Sequence, residues 1–140
     1  MEDEICICVK TNPIVLQYNF SSNPLVCLNC NLEKNGIKLN SEVIAKTELW
    51  NYEYEKYYSI WLNSKESVPE INNPFSNLNS IGFSLLKLLN ETTLCYYWWH
   101  LNEDEKIWNC PKCELLLQVE SKYKVGLTKT CNNCMIVVRD

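Results

Sequence analysis

The chain of 140 residues is poor in several things that catalytic and membrane proteins need. It has one histidine, His100, one arginine, Arg139, and three glycines. Three scattered glycines cannot build a phosphate-cradling loop. A lone histidine leaves few routes to a nucleophile–base pair. The one spare thiol, Cys95, stands five residues from His100 on a segment that reads as a strand, where such positions face opposite sides. A zinc deaminase would need His-x-Glu and Pro-Cys-x-x-Cys, and the chain offers His100-Leu101-Asn102-Glu103 and Cys110-Pro111-Lys112-Cys113 instead. No enzyme is expected. The longest apolar stretches, such as Phe83 to Leu89 broken by Lys87, fall far short of a membrane span. Nor is the start basic, as a signal peptide would be: it reads Met1-Glu2-Asp3-Glu4. A reducing cytosol is therefore the expected compartment.

Cysteine, by contrast, is abundant. There are nine, and eight of them fall into four close pairs, with Cys95 left over. In a reducing compartment close pairs suggest metal ligands or redox chemistry rather than structural disulfides. At 46% hydrophobic and 21% charged, the composition is one that folds rather than one that stays disordered.

The clearest pattern is Cys110-Pro111-Lys112-Cys113 followed, after 17 residues, by Cys131-Asn132-Asn133-Cys134, the spacing of a zinc ribbon. A two-residue gap lets two thiolates of a tight turn converge on one ion, at about 2.3 Å each. A redox Cys-x-x-Cys should instead open a helix in a βαβ setting. Leu115–Val119 and Tyr123–Leu127 read as the ribbon strands, with a third over Met135–Val138. Glu114 and Met135 stand where many zinc knuckles have glycine to reach positive φ.

Near the start, Cys6-Ile7-Cys8 and Cys27-Leu28-Asn29-Cys30 form a second set, C-x-C-x18-C-x2-C. Side chains two apart on a strand share a face, so Cys6 and Cys8 can clamp an ion that a knuckle also holds. Asn31 after Cys30 suits a left-handed turn. Ile14–Tyr18 between the pairs reads as a strand. Two structural zinc ions are expected. Four pairs can be shared over two sites in three ways; the sequential arrangement has the shortest loops, whereas a crossed one would tie the chain ends together.

Between the cysteine blocks the period becomes helical. Val43, Trp50, Tyr54, Tyr57 and Trp61 follow a good helix start at Asn40-Ser41-Glu42, giving a helix over 41–62. A second helix is expected over 76–90, capped by Ser76 or Asn77, with Leu78, Ile81, Leu85, Leu88 and Leu89 on one face. Pro69 to Pro74 reads as the loop between them. Leu94–Leu101 reads as an aromatic strand and Asn102–Glu105 as an acidic turn. The Tyr96–Trp99 run could stack on bases, but a strand covered on both faces gives the same run. His100 is expected to be a strand-end residue with a hydrogen bond, and Cys95 a small buried group.

The expected fold class is α+β in one compact domain. Its subregions are an N-terminal zinc-binding β unit (1–39), a two-helix middle (40–93), and the aromatic strand with the C-terminal zinc ribbon (94–140).

Several blocks carry a resemblance: Pro24-Leu25-Val26-Cys27-Leu28-Asn29-Cys30, Leu49-Trp50 with the tyrosines after it, Ser76-Asn77-Leu78-Asn79-Ser80-Ile81-Gly82, Tyr96-Tyr97-Trp98-Trp99, and Trp108-Asn109-Cys110-Pro111-Lys112-Cys113 ahead of the last cysteine pair. In that order they resemble a bacterial family known mainly from sequence and described as containing a Zn ribbon, with nucleic-acid binding suggested. The likeness spans about residues 5–138 and implies zinc on the matching cysteines.

Charge points elsewhere. The formal net charge is −4, and two four-thiolate zinc centres would take it to about −8. Phosphate recognition needs clustered cations and favours arginine, yet the 13 basic residues include a single arginine. Residues 106–140 are the most basic segment, with Lys106, Lys112, Lys122, Lys124, Lys129 and Arg139 against three acidic residues. The expectation is a non-catalytic, zinc-stabilised module that binds a protein, in its most concrete form an immunity- or inhibitor-type protein against a basic toxin. Acidic residues at 2–4, 53–55 and 103–105 beside aromatics would suit such a partner. A zinc-ribbon nucleic-acid-binding protein is the alternative.

Overall fold

The computed structural model describes residues 6–8, 12–21 and 23–139. Nine elements follow in chain order. They are β1 (Ile14–Leu16), β2 (Leu25–Cys27), α1 (Ser41–Ser64), α2 (Pro69–Asn72), α3 (Asn77–Asn90), β3 (Cys95–Trp98), β4 (Gln118–Tyr123), β5 (Gly126–Cys131) and β6 (Ile136–Arg139). Six strands form one mixed sheet in the order β2-β1-β3-β6-β5-β4. The N-terminal hairpin β1–β2 and the C-terminal meander β4–β5–β6 are antiparallel, while β3 joins them by parallel pairing to β1 and to β6. The N-terminal β unit thus supplies two of the six strands of one shared sheet, joined to the ribbon through the aromatic strand, as one compact domain requires.

Alternation along the strands sorts the core into two faces. Ile14, Leu16, Cys95, Tyr97, Ile136 and Val138 face the helices, and Val15, Tyr96 and Val137 face away. Tyr96, Tyr97 and Trp99 are all buried, so the aromatic run is core on both sides of the sheet. Trp50 and Phe83 pack against the Tyr97 ring, with centroids 5.8 and 4.7 Å away. A buried ring of this size takes roughly 150–250 Å² out of water, about 4–6 kcal/mol before the entropy of ordering it.

Asn40 caps α1 by accepting the Val43 N–H at 2.8 Å, and Ser76 caps α3 by accepting the Asn79 N–H at 3.2 Å. Both satisfy an amide that the first turn leaves without a partner. Gly82 is required by close approach: a Cβ there would lie 2.3 Å from the Tyr97 ring. The Tyr97 hydroxyl donates to Asn79 Oδ1 at 2.7 Å, and Asn79 Nδ2 donates to the carbonyls of Ile71 and Asn73. These bonds fix α2, a short turn of helix inside the stretch read as loop.

Three further expectations are corrected. Ile81 is 45% exposed, because α3 presents Leu78, Gly82, Leu85, Leu86 and Leu89 to the sheet and α1. Leu115 and Leu116 are exposed and precede β4, and the hairpin turn falls at Lys124–Val125, inside the expected second strand. Gly126, at φ 96°, lets the chain turn there. His100 is buried but Nε2 has no hydrogen-bond partner; its ring packs among Trp61, Tyr58 and Trp98 instead. No helix among the described residues is long and apolar enough to cross a membrane.

Candidate metal centres

The sheet delivers the eight paired cysteines to two places. Cys6, Cys8, Cys27 and Cys30 form one group and Cys110, Cys113, Cys131 and Cys134 the other, with the sulfurs of each within 4.8 Å of one another. The pairing is therefore sequential. All are free thiols, and the Cys113–Cys131 sulfurs stand 3.6 Å apart. In a zinc tetrahedron with bonds of about 2.3 Å, neighbouring sulfurs lie about 3.8 Å apart. The donor sets therefore fit one ion each. Four soft thiolates suit zinc, and a closed shell leaves no position for water or substrate.

Three of the four pairs are knuckles of one design. In the first, the Asn31 N–H bonds to the Cys27 carbonyl at 2.8 Å and the Cys27 N–H to the Leu32 carbonyl at 2.8 Å. In the second, the Glu114 N–H bonds to the Cys110 carbonyl at 2.9 Å and the Cys110 N–H to the Leu115 carbonyl at 2.7 Å. The third is the β5–β6 connection, where Cys131 pairs with Ile136. The residue after each knuckle is left-handed: Asn31 at φ 62°, Glu114 at 68° and Met135 at 57°. Glu114 and Met135 thus take the conformation that glycine would, at a cost that closing the site must offset.

The ribbon centre is satisfied from within. The Lys112 and Cys134 amides point at the sulfurs of Cys110 and Cys131, both at 3.4 Å. The N-terminal centre has one knuckle and the extended Cys6-x-Cys8 arm, and the arm takes side-chain donors from the facing knuckle and from Lys34. Asn29 Nδ2 lies 3.2 Å from Cys8 Sγ. Lys34, 9% exposed, places Nζ 3.5 Å from Cys6 Sγ and 3.3 Å from the Cys8 carbonyl. Such contacts orient ligands and offset the negative charge of the thiolates.

Each group contains one thiol disposed to ionise. Burial raises Cys6, but hydrogen bonds from the Cys8 backbone and the neighbouring thiols outweigh it and bring it down to about 7. The Leu115 N–H chiefly brings Cys113 down to about 6. Burial pushes Cys30 and Cys134 up to about 12, so both must lose protons when an ion enters.

The remaining expected residues lie elsewhere. Cys95 is fully buried in β3, and burial pushes its thiol far up, which leaves it inert. Burial also lowers His100 to about 4 and keeps it neutral. Sequence reasoning missed Asn29, Lys34 and Arg139 as neighbours of the first centre. The one available signal was that Arg139 is the chain's sole arginine.

Fold and site together define an α+β module with two four-cysteine centres, the second in a zinc-ribbon-like unit. No family model matches the chain, and no curated protein or solved structure does either.

Proposed function

We propose that this is a non-catalytic, cytoplasmic, zinc-stabilised module that binds a basic protein partner, in its most concrete form an immunity- or inhibitor-type protein covering a basic toxin. One observation carries the reading. An apolar groove of about 590 Å³ runs along α1 and α3, lined by Leu49, Ile81, Leu88 and others. Leu49 is 62% exposed, and the acidic Glu53 and Glu70 also line the groove. Lys46, its one basic residue, is paired with Glu42 at 3.1 Å. An amphipathic helix carrying lysine or arginine beside its apolar stripe is the occupant that fits such a groove on an acidic protein. The acidic residues at 2–4 lie outside the described residues.

The nucleic-acid alternative is weakened at the ribbon. Lys112, Lys122 and Lys129 lie against the rings of Phe83, Tyr123 and Trp108, and Arg139 is occupied at the first metal centre. Membership of the bacterial Zn-ribbon family is proposed on the residue blocks alone.

The test is a pull-down from the source cell with RNase and DNase controls, repeated with Leu49→Glu and Ile81→Glu. A basic protein retained at moderate salt by the native chain and lost with either variant is the expected result. Recovery of nucleic acid alone, released at that salt, would overturn the reading.

A further inference from the structure

We propose that the C-terminal ribbon completes the N-terminal metal centre, so that the two ions bind cooperatively. The contacts lie between the far end of the ribbon strands and the first knuckle. Arg139, the last residue of β6, donates to the Leu28 carbonyl at 3.4 Å, between the ligands Cys27 and Cys30. It also donates to Asn31 Oδ1 at 2.5 Å and to Gln17 Oε1 at 2.7 Å. A four-thiolate zinc centre carries a net charge of about −2, and a guanidinium beside it offsets part of that. The planar fork suits three acceptors at once where a lysine would not.

The β4–β5 turn makes the second contact. The Val125 N–H donates to the Asn29 carbonyl at 3.1 Å and the Lys124 N–H to Asn29 Oδ1 at 3.0 Å. Fixing the amide oxygen on Lys124 leaves Nδ2 directed at Cys8 Sγ, 3.2 Å away. Asn29 therefore links the ribbon turn to the extended arm, the part of the first centre with no knuckle of its own.

The ribbon ion governs these contacts through the strands. Cys131 and Ile136 pair at the metal end of β5–β6, and Thr128 and Arg139 pair at the other. Three residues of strand, about 10 Å, separate Ile136 from Arg139. Clamping one end of this hairpin holds the register that presents Arg139 and the 124–125 turn at the other. Coupling between two binding sites is reciprocal, so each ion strengthens the other by the same factor.

The experiment is a graded EDTA challenge of the full zinc-loaded protein, read by native mass spectrometry and by mapping which cysteines become alkylated. Cys134→Ala removes a ribbon ligand; Arg139→Ala and Arg139→Lys leave all eight ligands in place. The expected result is that wild type passes from two ions to none with little one-ion form. Cys134→Ala and Arg139→Ala should each speed alkylation of Cys6, Cys8, Cys27 and Cys30 by about tenfold, with Arg139→Lys between. Should Cys134→Ala fail to fold, the Arg139 variants decide alone, with helical circular dichroism as the folding control. A first centre that keeps its ion at the wild-type EDTA concentration in Arg139→Ala would overturn the proposal.

Discussion

The two metal centres solve one problem by different routes. The ribbon centre is built from two knuckles, and its own backbone amides reach the sulfurs of Cys110 and Cys131. The N-terminal centre has one knuckle and an extended arm, and its outer contacts come from Asn29, Lys34 and Arg139. A knuckle is braced by its own backbone, whereas the extended Cys-x-Cys has the Cys8 amide and otherwise leans on side chains beyond the arm. A local motif can therefore announce the first kind of site fully and the second kind only in part.

The largest test of this contrast is ligand loss. Cys131 is buried in β5, within a centre that anchors three strands, whereas Cys6 sits on the arm. Metal-binding free energy is folding free energy in such units. Cys131→Ser is expected to lower the melting temperature by about 10–20 °C, and Cys6→Ser by only a few degrees, measured by circular dichroism with zinc present. Equal losses would erase the distinction.

Next in size is the frame between the centres. Gly82→Ala drives a Cβ into the Tyr97 ring, at 2.3 Å, in the middle of the sheet. Overpacking of this kind should cost about 2–3 kcal/mol in urea denaturation, with both ions still bound in the folded protein. A neutral effect would mean that α3 stands off the sheet.

A smaller effect sharpens the difference in outer contacts. Lys34→Met removes the ammonium beside Cys6 Sγ and should weaken the first ion about tenfold in chelator competition, with the ribbon ion following through the coupling by no more than that. A larger change at the ribbon would reverse the assignment.

The smallest concerns pH. His100 falls from 6.5 to about 4 in the folded chain, through burial and against the field of Glu105. The unfolded chain therefore binds a proton that the folded chain refuses as pH falls through that window. Stability should drop between about pH 6.5 and 4, with no contribution above it, and His100→Phe should remove this share, on the order of 1 kcal/mol. Parallel curves for wild type and variant would contradict the burial of a neutral ring.

Much of this was readable in the sequence. Cysteine spacing marked the eight ligands as four pairs, because two thiolates of one turn must converge locally, but left open how the pairs combine, which the fold decides as sequential. The helix starts at Asn40 and Ser76 were legible for the same reason. Strand placement in the ribbon was not. Leu115 and Leu116 look like strand residues but leave the knuckle exposed, and the turn depends on the positive φ of Gly126. The sheet order was also hidden, since β1 finds its parallel partner β3 about 80 residues away. Arg139 reaches Leu28 across 111 residues, a separation that no local pattern encodes.

The central claim is that the chain folds around two four-thiolate zinc centres. Native mass spectrometry of fully reduced, zinc-loaded protein, paired with thiol counting before and after denaturation, tests it most directly. The account predicts two bound ions, with Cys6, Cys8, Cys27, Cys30, Cys110, Cys113, Cys131 and Cys134 shielded until the ions are removed. One ion or none on folded protein would contradict it.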